Sequence, residues 1–286
     1  MRTGLIGLGT MGSRFARRLV GGGFPPAVFD IDRATVERVV AVGGHAATSV
    51  SDVVARADVI FTSLPMPGDV ESVVVSALGD ARPNHIFVDL STIDPATARR
   101  LAEKLAERGA AFLDAPVSGG PGGAEAGTLA VMVGGSAEAF ARARPCFETF
   151  SGRLVHCGSV GSGSVVKLAN QMLVGAHVVA AAEAVRFARE SGIAPETLLE
   201  VVSAATGDSA MLRRTIKDYV LTDDFTPTFA LRLLMKDLRL YAAESRSLGT
   251  IGPAGKAAVA AYEEAMARGL AGLDYAAVIK TFLDGA

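Results

Sequence analysis

The sequence predicts an α/β fold: a doubly wound sheet, then an all-helical domain entered through one long interdomain helix. Three observations predict it. Short apolar runs alternate with helical patterns over the first ~150 residues, the signature of a mostly parallel sheet covered on both faces. A glycine-rich turn, Gly7-Leu8-Gly9-Thr10-Met11-Gly12, separates the first apolar run from the first helix. Beyond Gly158-Ser159-Val160-Gly161-Ser162-Gly163 the strand-like runs stop, and one helical pattern continues from Ser164 to about Ser191. The expected domains are residues 1–160 and 161–286.

The elements follow in order. Gly4-Leu5-Ile6 reads as a buried strand and Met11 to Val20 as a helix. Ala27-Val28-Phe29-Asp30 is the second strand, and Asp58 to Leu64, His85 to Leu90, Ala111 to Asp114 and Thr128 to Val133 continue the sheet. Arg153-Leu154-Val155-His156 is a candidate last strand, and Pro95 to Arg108 is one of the intervening helices. After Ser191, helical segments are punctuated by Gly192 to Pro195, Gly207-Asp208, Asp223-Asp224, Gly249 to Pro253 and Gly269 to Gly272, with no further strand.

Composition narrows the function classes. The chain has 286 residues, half of them apolar and 20% charged, enough for two domains with a large core. A net charge of −2 without a basic block argues against a nucleic-acid partner. Cys146 and Cys157 are too few for a disulfide framework and read as small buried hydrophobes in a reducing cytoplasm. His45, His85, His156 and His177 show no metal-ligand spacing, so no metal is expected. The first strand starts within five residues of Met1, which leaves no expected room for a leader and suggests a cytoplasmic protein. Met172 to Ala188 is very apolar, but His177, Glu183 and Arg186 interrupt it, so a buried helix is expected and no membrane span.

The glycine turn sits where a dinucleotide-binding βαβ unit needs it. Gly7 allows the tight turn, Gly9 lets the backbone approach a pyrophosphate, and Gly12 lets helix and strand pack closely. The helix N-terminus then aims N–H groups at the phosphates. Asp30 ends the second strand 18 residues after Gly12, where a carboxylate accepts from ribose hydroxyls and repels a 2′-phosphate. That favours NAD. Arg33 could hold a 2′-phosphate instead, which keeps NADP as the alternative. The bland reading makes Asp30 a helix cap and Arg33 a solvated charge.

Ligands of open α/β sheets gather at the carboxyl ends of strands. Those ends carry Leu64-Pro65-Met66-Pro67, Ser91-Thr92 and Ser118-Gly119-Gly120. The last follows Asp114-Ala115-Pro116-Val117, and its backbone N–H groups beside Ser118 form a plausible carboxylate cradle, or else a simple turn. Lys167 and Asn170, three residues apart near the start of the long helix, share a face. A lysine desolvated by the apolar helix is usable as general acid and base, and an asparagine one turn on can meet a substrate oxygen in either polarity. Lys236-Asp237, on residue types alone, reads as a surface ion pair.

Five motifs in order, Gly7 to Gly12, Asp89-Leu90-Ser91-Thr92, Asp114 to Gly120, Gly163-x-x-x-Lys167-x-x-Asn170 and Met235-Lys236-Asp237-Leu238, make essentially the whole chain resemble the β-hydroxyacid dehydrogenase family. That family includes 3-hydroxyisobutyrate dehydrogenase and tartronate semialdehyde reductase. The resemblance implies a Rossmann-type NAD(P) domain joined to a helical domain that mediates a homodimer or homotetramer. It implies that Lys167 is the catalytic acid/base, with Ser118, Gly119, Gly120 and Asn170 holding the carboxylate and reacting oxygen of a small substrate. Leu64, Pro65 and Thr92 would line the nicotinamide side beside the cofactor turn of Gly7 to Gly12, Leu8, Thr10 and Met11 included, and Lys236 would reach the cofactor. Gln171 stands where many 3-hydroxyisobutyrate enzymes carry a second asparagine, a pattern closer to tartronate semialdehyde reductase.

Rival readings each lack a feature. A 6-phosphogluconate dehydrogenase-like decarboxylase needs a phosphate clamp, for which Arg213-Arg214 is the nearest candidate. Imine reductase relatives lack the catalytic lysine that Lys167 supplies here. A cofactor-loaded scaffold without turnover would have lost part of this constellation.

Overall fold

The structure, a computed structural model, describes residues 1–283. The chain divides into two compact units, Met1–Lys167 and the residues from Leu168 onward. In the first unit, β1 (Thr3–Ile6), α1 (Gly12–Gly21), β2 (Pro26–Phe29), α2 (Arg33–Val40), β3 (His45–Ala46) and α3 (Val50–Arg56) open the chain. They are followed by β4 (Val59–Thr62), α4 (Pro67–Ala77), β5 (Ile86–Asp89), α5 (Pro95–Ala106) and β6 (Ala111–Asp114). The unit closes with β7 (Val117–Ser118), α6 (Gly120–Ala126), β8 (Leu129–Gly134), α7 (Ala137–Phe147) and β9 (Ser151–Gly158).

The sheet order is β3-β2-β1-β4-β5-β6-β8-β7, with β9 also paired to β8. Neighbours from β3 through β6 are parallel, and β8 runs antiparallel to β6 and β7. Register aligns Val28, Leu5, Phe61, Val88 and Leu113 across five strands, and this row packs into one apolar cluster with Phe15, Phe147 and Phe150. The residues just before, Ile60, Phe87 and Phe112, point to the opposite face and pack with Val53, Val70 and Leu101 of α3, α4 and α5. Period-two alternation with both faces apolar is what a sheet covered on both sides requires.

Two features differ from the sequence reading. The two-residue strands β3 and β7 are absent from the sequence reading; β3 is exposed and β7 half-buried, so neither carries an apolar run. Cys157 lies on β9, whose residues are mostly half-buried or exposed, so this thiol is not the buried hydrophobe expected. Cys146 is buried, and burial pushes its thiol up to about 12.

The helix α8 (Ser162–Glu190) begins in the first unit and continues into the second. Its length and composition alone would suffice to cross a membrane, yet Val178, Val179, Ala181, Ala182 and Val185 are buried in the core of the helical unit. That core also takes residues from α10 (Ala210–Arg214), the π-helical turns of Thr215–Val220, α11 (Leu231–Ser247) and α12 (Pro253–Ala267). Partly buried residues of α9 (Pro195–Val202) and α13 (Lys280–Leu283) pack against it. Asp274, fully buried, accepts from Thr228 N and Oγ1 at 2.8 Å each and from Phe229 N at 3.2 Å, tying the approach to α11 in place.

Candidate active site

The glycine turn fits a dinucleotide phosphate. Gly7 adopts φ +89°, and a Cβ there would lie 2.4 Å from Ser63 O. A Cβ on Gly12 would lie 1.9 Å from Gly7 O, so only glycine lets α1 start this close to β1. A Cβ on Gly9, by contrast, would meet nothing within 4 Å. This open space over a bare backbone is where the turn would receive a pyrophosphate. Met11 makes no side-chain cap to α1, and no acidic residue sits in its first turn. Thr10, exposed, accepts from Arg14 Nη1 through its carbonyl at 2.6 Å.

Asp30 is tied to this turn: Leu8 N donates to its Oδ2 at 2.6 Å and Asp32 N to its Oδ1 at 2.9 Å. The helix cap that the bland reading assigned to Asp30 is made by Asp32, which accepts from Ala34 N at 3.0 Å. Arg33 opens α2 and is exposed.

The loops after β4 and β5 are joined. Asp89, fully buried at the end of β5, accepts from Thr62 Oγ1 at 2.8 Å and from Ser91 N at 3.1 Å. Ser91 Oγ in turn accepts from Leu64 N at 2.9 Å. Leu64 and Thr92 are half-buried and Pro65 is exposed. Burial drives the Asp89 carboxyl up to about 6, against the pull of its hydrogen bonds from Ser91 and Thr62.

Asp114, at the end of β6, plays a similar part for α8. Its Oδ1 accepts from Gly161 N and its Oδ2 from Ser164 N, both at 2.7 Å. A Cβ on Gly163 would lie 2.3 Å from Met132 O, so the first turn of α8 rests directly on the sheet backbone. Burial raises the Asp114 carboxyl, opposed by the hydrogen bonds from Gly161 and Ser164. Lys167, one turn further on, is only 7% exposed. Ser118 is half-buried at the end of β7, and Gly119 and Gly120 follow with φ +128° and +63°. Two successive positive φ values turn the chain sharply there, and a Cβ on Gly120 would meet nothing within 4 Å.

In the helical unit, Asn170 is half-buried and its Nδ2 donates to Gln171 Oε1 at 3.0 Å. Gln171 Nε2 donates to Asp237 Oδ2 at 2.6 Å, and Lys236 Nζ pairs with Asp237 Oδ1 at 3.0 Å. Asp237 is 1% exposed, so this pair is not the surface ion pair its residue types suggest. The structural parts of Asp89, Asp114 and Gln171 were not foreseen. A carboxylate ending an apolar strand was the available signal for the first two. Among the described residues no group of three or more His, Cys, Asp or Glu side chains could hold a metal ion.

The geometry agrees with what the chain is similar to. Residues 2–158 match the NAD binding domain of 6-phosphogluconate dehydrogenase, and residues 161–282 match the NAD-binding domain of NADP-dependent 3-hydroxyisobutyrate dehydrogenase. The 2-(hydroxymethyl)glutarate dehydrogenase of Eubacterium barkeri is 36% identical over 286 residues, covering 99% of this chain and 95% of the relative. The NAD-dependent L-serine dehydrogenase of Pseudomonas aeruginosa is 35% identical, covering 97% and 96%. The structure of Mycobacterium tuberculosis 3-hydroxyisobutyrate dehydrogenase with L-serine aligns at a TM-score of 0.91 and 35% identity over 98% of each chain. With both parts of the chain matched, the protein belongs to the β-hydroxyacid dehydrogenase family of NAD(P)-binding oxidoreductases.

Proposed function

We propose that the protein transfers hydride between NAD and a short β-hydroxy acid or its semialdehyde, of the 3-hydroxyisobutyrate or tartronate semialdehyde kind, with Lys167 as general acid/base. The observation that carries this reading is Lys167 itself. It is a nearly buried lysine on the first turns of a helix that Asp114 pins to the sheet, in the same unit as the cofactor turn. When bound, the nicotinamide supplies the hydride acceptor in oxidation and the donor in reduction. Lys167 Nζ takes the hydroxyl proton of the acid in oxidation and returns it to the carbonyl oxygen in reduction. Such acid–base assistance is worth roughly 10²–10⁴-fold.

Ser118, Gly119 and Gly120 hold the substrate carboxylate and Asn170 its reacting oxygen, which orients the carbinol carbon. Leu64, Pro65 and Thr92 border the nicotinamide, Asp30 binds the adenosine ribose, and Lys236 contributes to cofactor binding. Asp30 also supports NAD over NADP, because a 2′-phosphate would face its charge. Arg213 pairs with Asp208, and the Arg214 guanidinium lies 6.0 Å and 5.7 Å from the ring centroids of Tyr219 and Tyr275. Both arginines are thus engaged, which favours a hydroxy acid over a phosphosugar.

The protein acts as a homodimer or homotetramer through its helical unit. Leu173, Ala180 and Phe187, seven residues apart on α8, are exposed, Phe187 by 76%, and make one apolar stripe that a second copy would cover. Two free thiols suit the reducing cytoplasm. The test is reduced-nicotinamide absorbance with a panel of short hydroxy acids and semialdehydes, each with NAD and with NADP. Turnover of any member by the wild type and its loss in Lys167→Ala supports the reading; full turnover in the variant overturns it.

A further inference from the structure

Lys236, Asp237, Gln171 and Asn170 form a chain of contacts whose direction chemistry fixes. An ammonium only donates, and an ionised carboxylate only accepts. Asp237, only 1% exposed, faces Lys236 Nζ with Oδ1 at 3.0 Å, an ion pair that is not a hydrogen bond, and accepts from Gln171 Nε2 on Oδ2 at 2.6 Å. The Gln171 atom facing Oδ2 must therefore be its nitrogen, since an amide oxygen there would meet a carboxylate oxygen across a dry contact. With Nε2 so engaged, Oε1 is the end turned toward Asn170, 3.0 Å from its Nδ2. The Asn170 atom facing Gln171 must then also be nitrogen. Asn170 is left with its Oδ1 and its second N–H to offer elsewhere.

We infer that Gln171 is a positioning residue: it carries the charge polarity of the Lys236–Asp237 pair to Asn170 and so fixes which way the Asn170 amide is turned. The inference rests on the proposed role of Asn170 at the substrate oxygen and extends it. An alcohol offers a proton to an amide oxygen, whereas a carbonyl needs an N–H, so an amide free to flip would meet either form wrongly half the time. Pinning one N–H on Gln171 holds Oδ1 and the remaining N–H in constant places. Gln171 is 4% exposed, which denies the relay a competing water. An asparagine at 171, one methylene shorter, could not keep both contacts.

Two variants and one control test this. Gln171→Met keeps the volume and removes the hydrogen bonds to Asp237 and Asn170; it is expected to lower kcat/KM for the hydroxy acid by roughly tenfold or more, chiefly through KM. Gln171→Glu puts a second carboxyl against Asp237, with Lys236 beyond and Lys167 one turn back on α8. While protonated, the introduced carboxyl donates to Asp237 and accepts from Asn170 as the native amide does; once ionised, it repels Asp237. The kcat/KM of this variant is therefore expected to approach the wild-type value at low pH and to fall as pH rises, relative to wild type and to Gln171→Met. A packing role alone would leave Gln171→Met, which fills the same volume, near the wild-type value at every pH.

Gln171→Met within twofold of wild type, or Gln171→Glu indifferent to pH, overturns the relay. Lys167→Ala in the same assay judges the parent reading separately, because it removes the proposed acid/base and leaves Gln171 and Asn170 in the sequence. Should the wild type be silent on the whole panel, the Asn170 side-chain amide signals in a ¹H–¹⁵N spectrum still decide. Two well-separated proton shifts that collapse in Gln171→Met support the relay, and signals unchanged by the substitution overturn it.

Discussion

Asp89→Asn isolates the electrostatic cost of the carboxylate that organises the loops after β4 and β5. Asp89 is fully buried, accepts from Thr62 Oγ1 and Ser91 N, and has an Oδ2 without a hydrogen-bond partner. Burial first, and the neighbouring charge of Asp114 further, bring its carboxyl to about 6 from an ordinary value of 3.8. The folded chain thus holds this proton up to about pH 6, while the unfolded chain releases it near pH 4. Folding takes up a proton in that window, so this contribution to stability is full below about pH 4 and is lost as pH rises through 6. Two pH units correspond to roughly 3 kcal/mol in all, of which about 1.4 kcal/mol falls between pH 5 and 8. Asparagine keeps an acceptor for Thr62 and Ser91 but does not titrate. Urea unfolding of both proteins without cofactor, monitored in the first unit, gives their stability difference at each pH. The variant should gain about 1.4 kcal/mol relative to wild type from pH 5 to 8, whatever the constant offset. A difference curve that is flat, or that slopes the other way, refutes the reasoning.

Gly12→Ala puts a methyl where a Cβ would sit 1.9 Å from Gly7 O; it should abolish measurable NAD binding in a calorimetric titration and lower stability by about 1–3 kcal/mol. Asp30→Ala removes the acceptor of Leu8 N and should lower the NAD/NADP ratio of kcat/KM by roughly tenfold or more, while an unchanged ratio would move the discrimination to Arg33. Phe187→Glu, with Leu173→Glu as a second variant, should reduce the sedimentation mass to that of a smaller assembly; an unchanged mass would remove the α8 stripe from the interface.

How much was legible follows from what each residue does. The first strand, glycine turn and helix could be read because each must leave a local mark, and Gly7, Gly9 and Gly12 leave it within six positions. The central strands were legible for the same reason: both faces are covered, so residues 59–61 and 86–88 read as continuous apolar runs. β3 and β7 were not, because two residues pairing at an edge need no apolar pattern. Asp89 and Asp114 were visible as residues but not as clamps. Their partners Thr62, Gly161 and Ser164 lie 27, 47 and 50 positions away, and only the sheet order brings them together. Lys236-Asp237 misled for the converse reason: charged types suggest a surface, and only the packing of α11 against the α8 segment bearing Gln171 shows the carboxylate to be dry.

The central claim is that Lys167 moves the proton while the nicotinamide moves the hydride. The most direct test compares wild type and Lys167→Ala by reduced-nicotinamide absorbance on the best hydroxy acid of the panel, with NAD affinity measured alongside. The account predicts turnover reduced by about 10²–10⁴-fold with NAD affinity nearly intact. A variant that binds NAD and retains a sizeable fraction of wild-type kcat would contradict it.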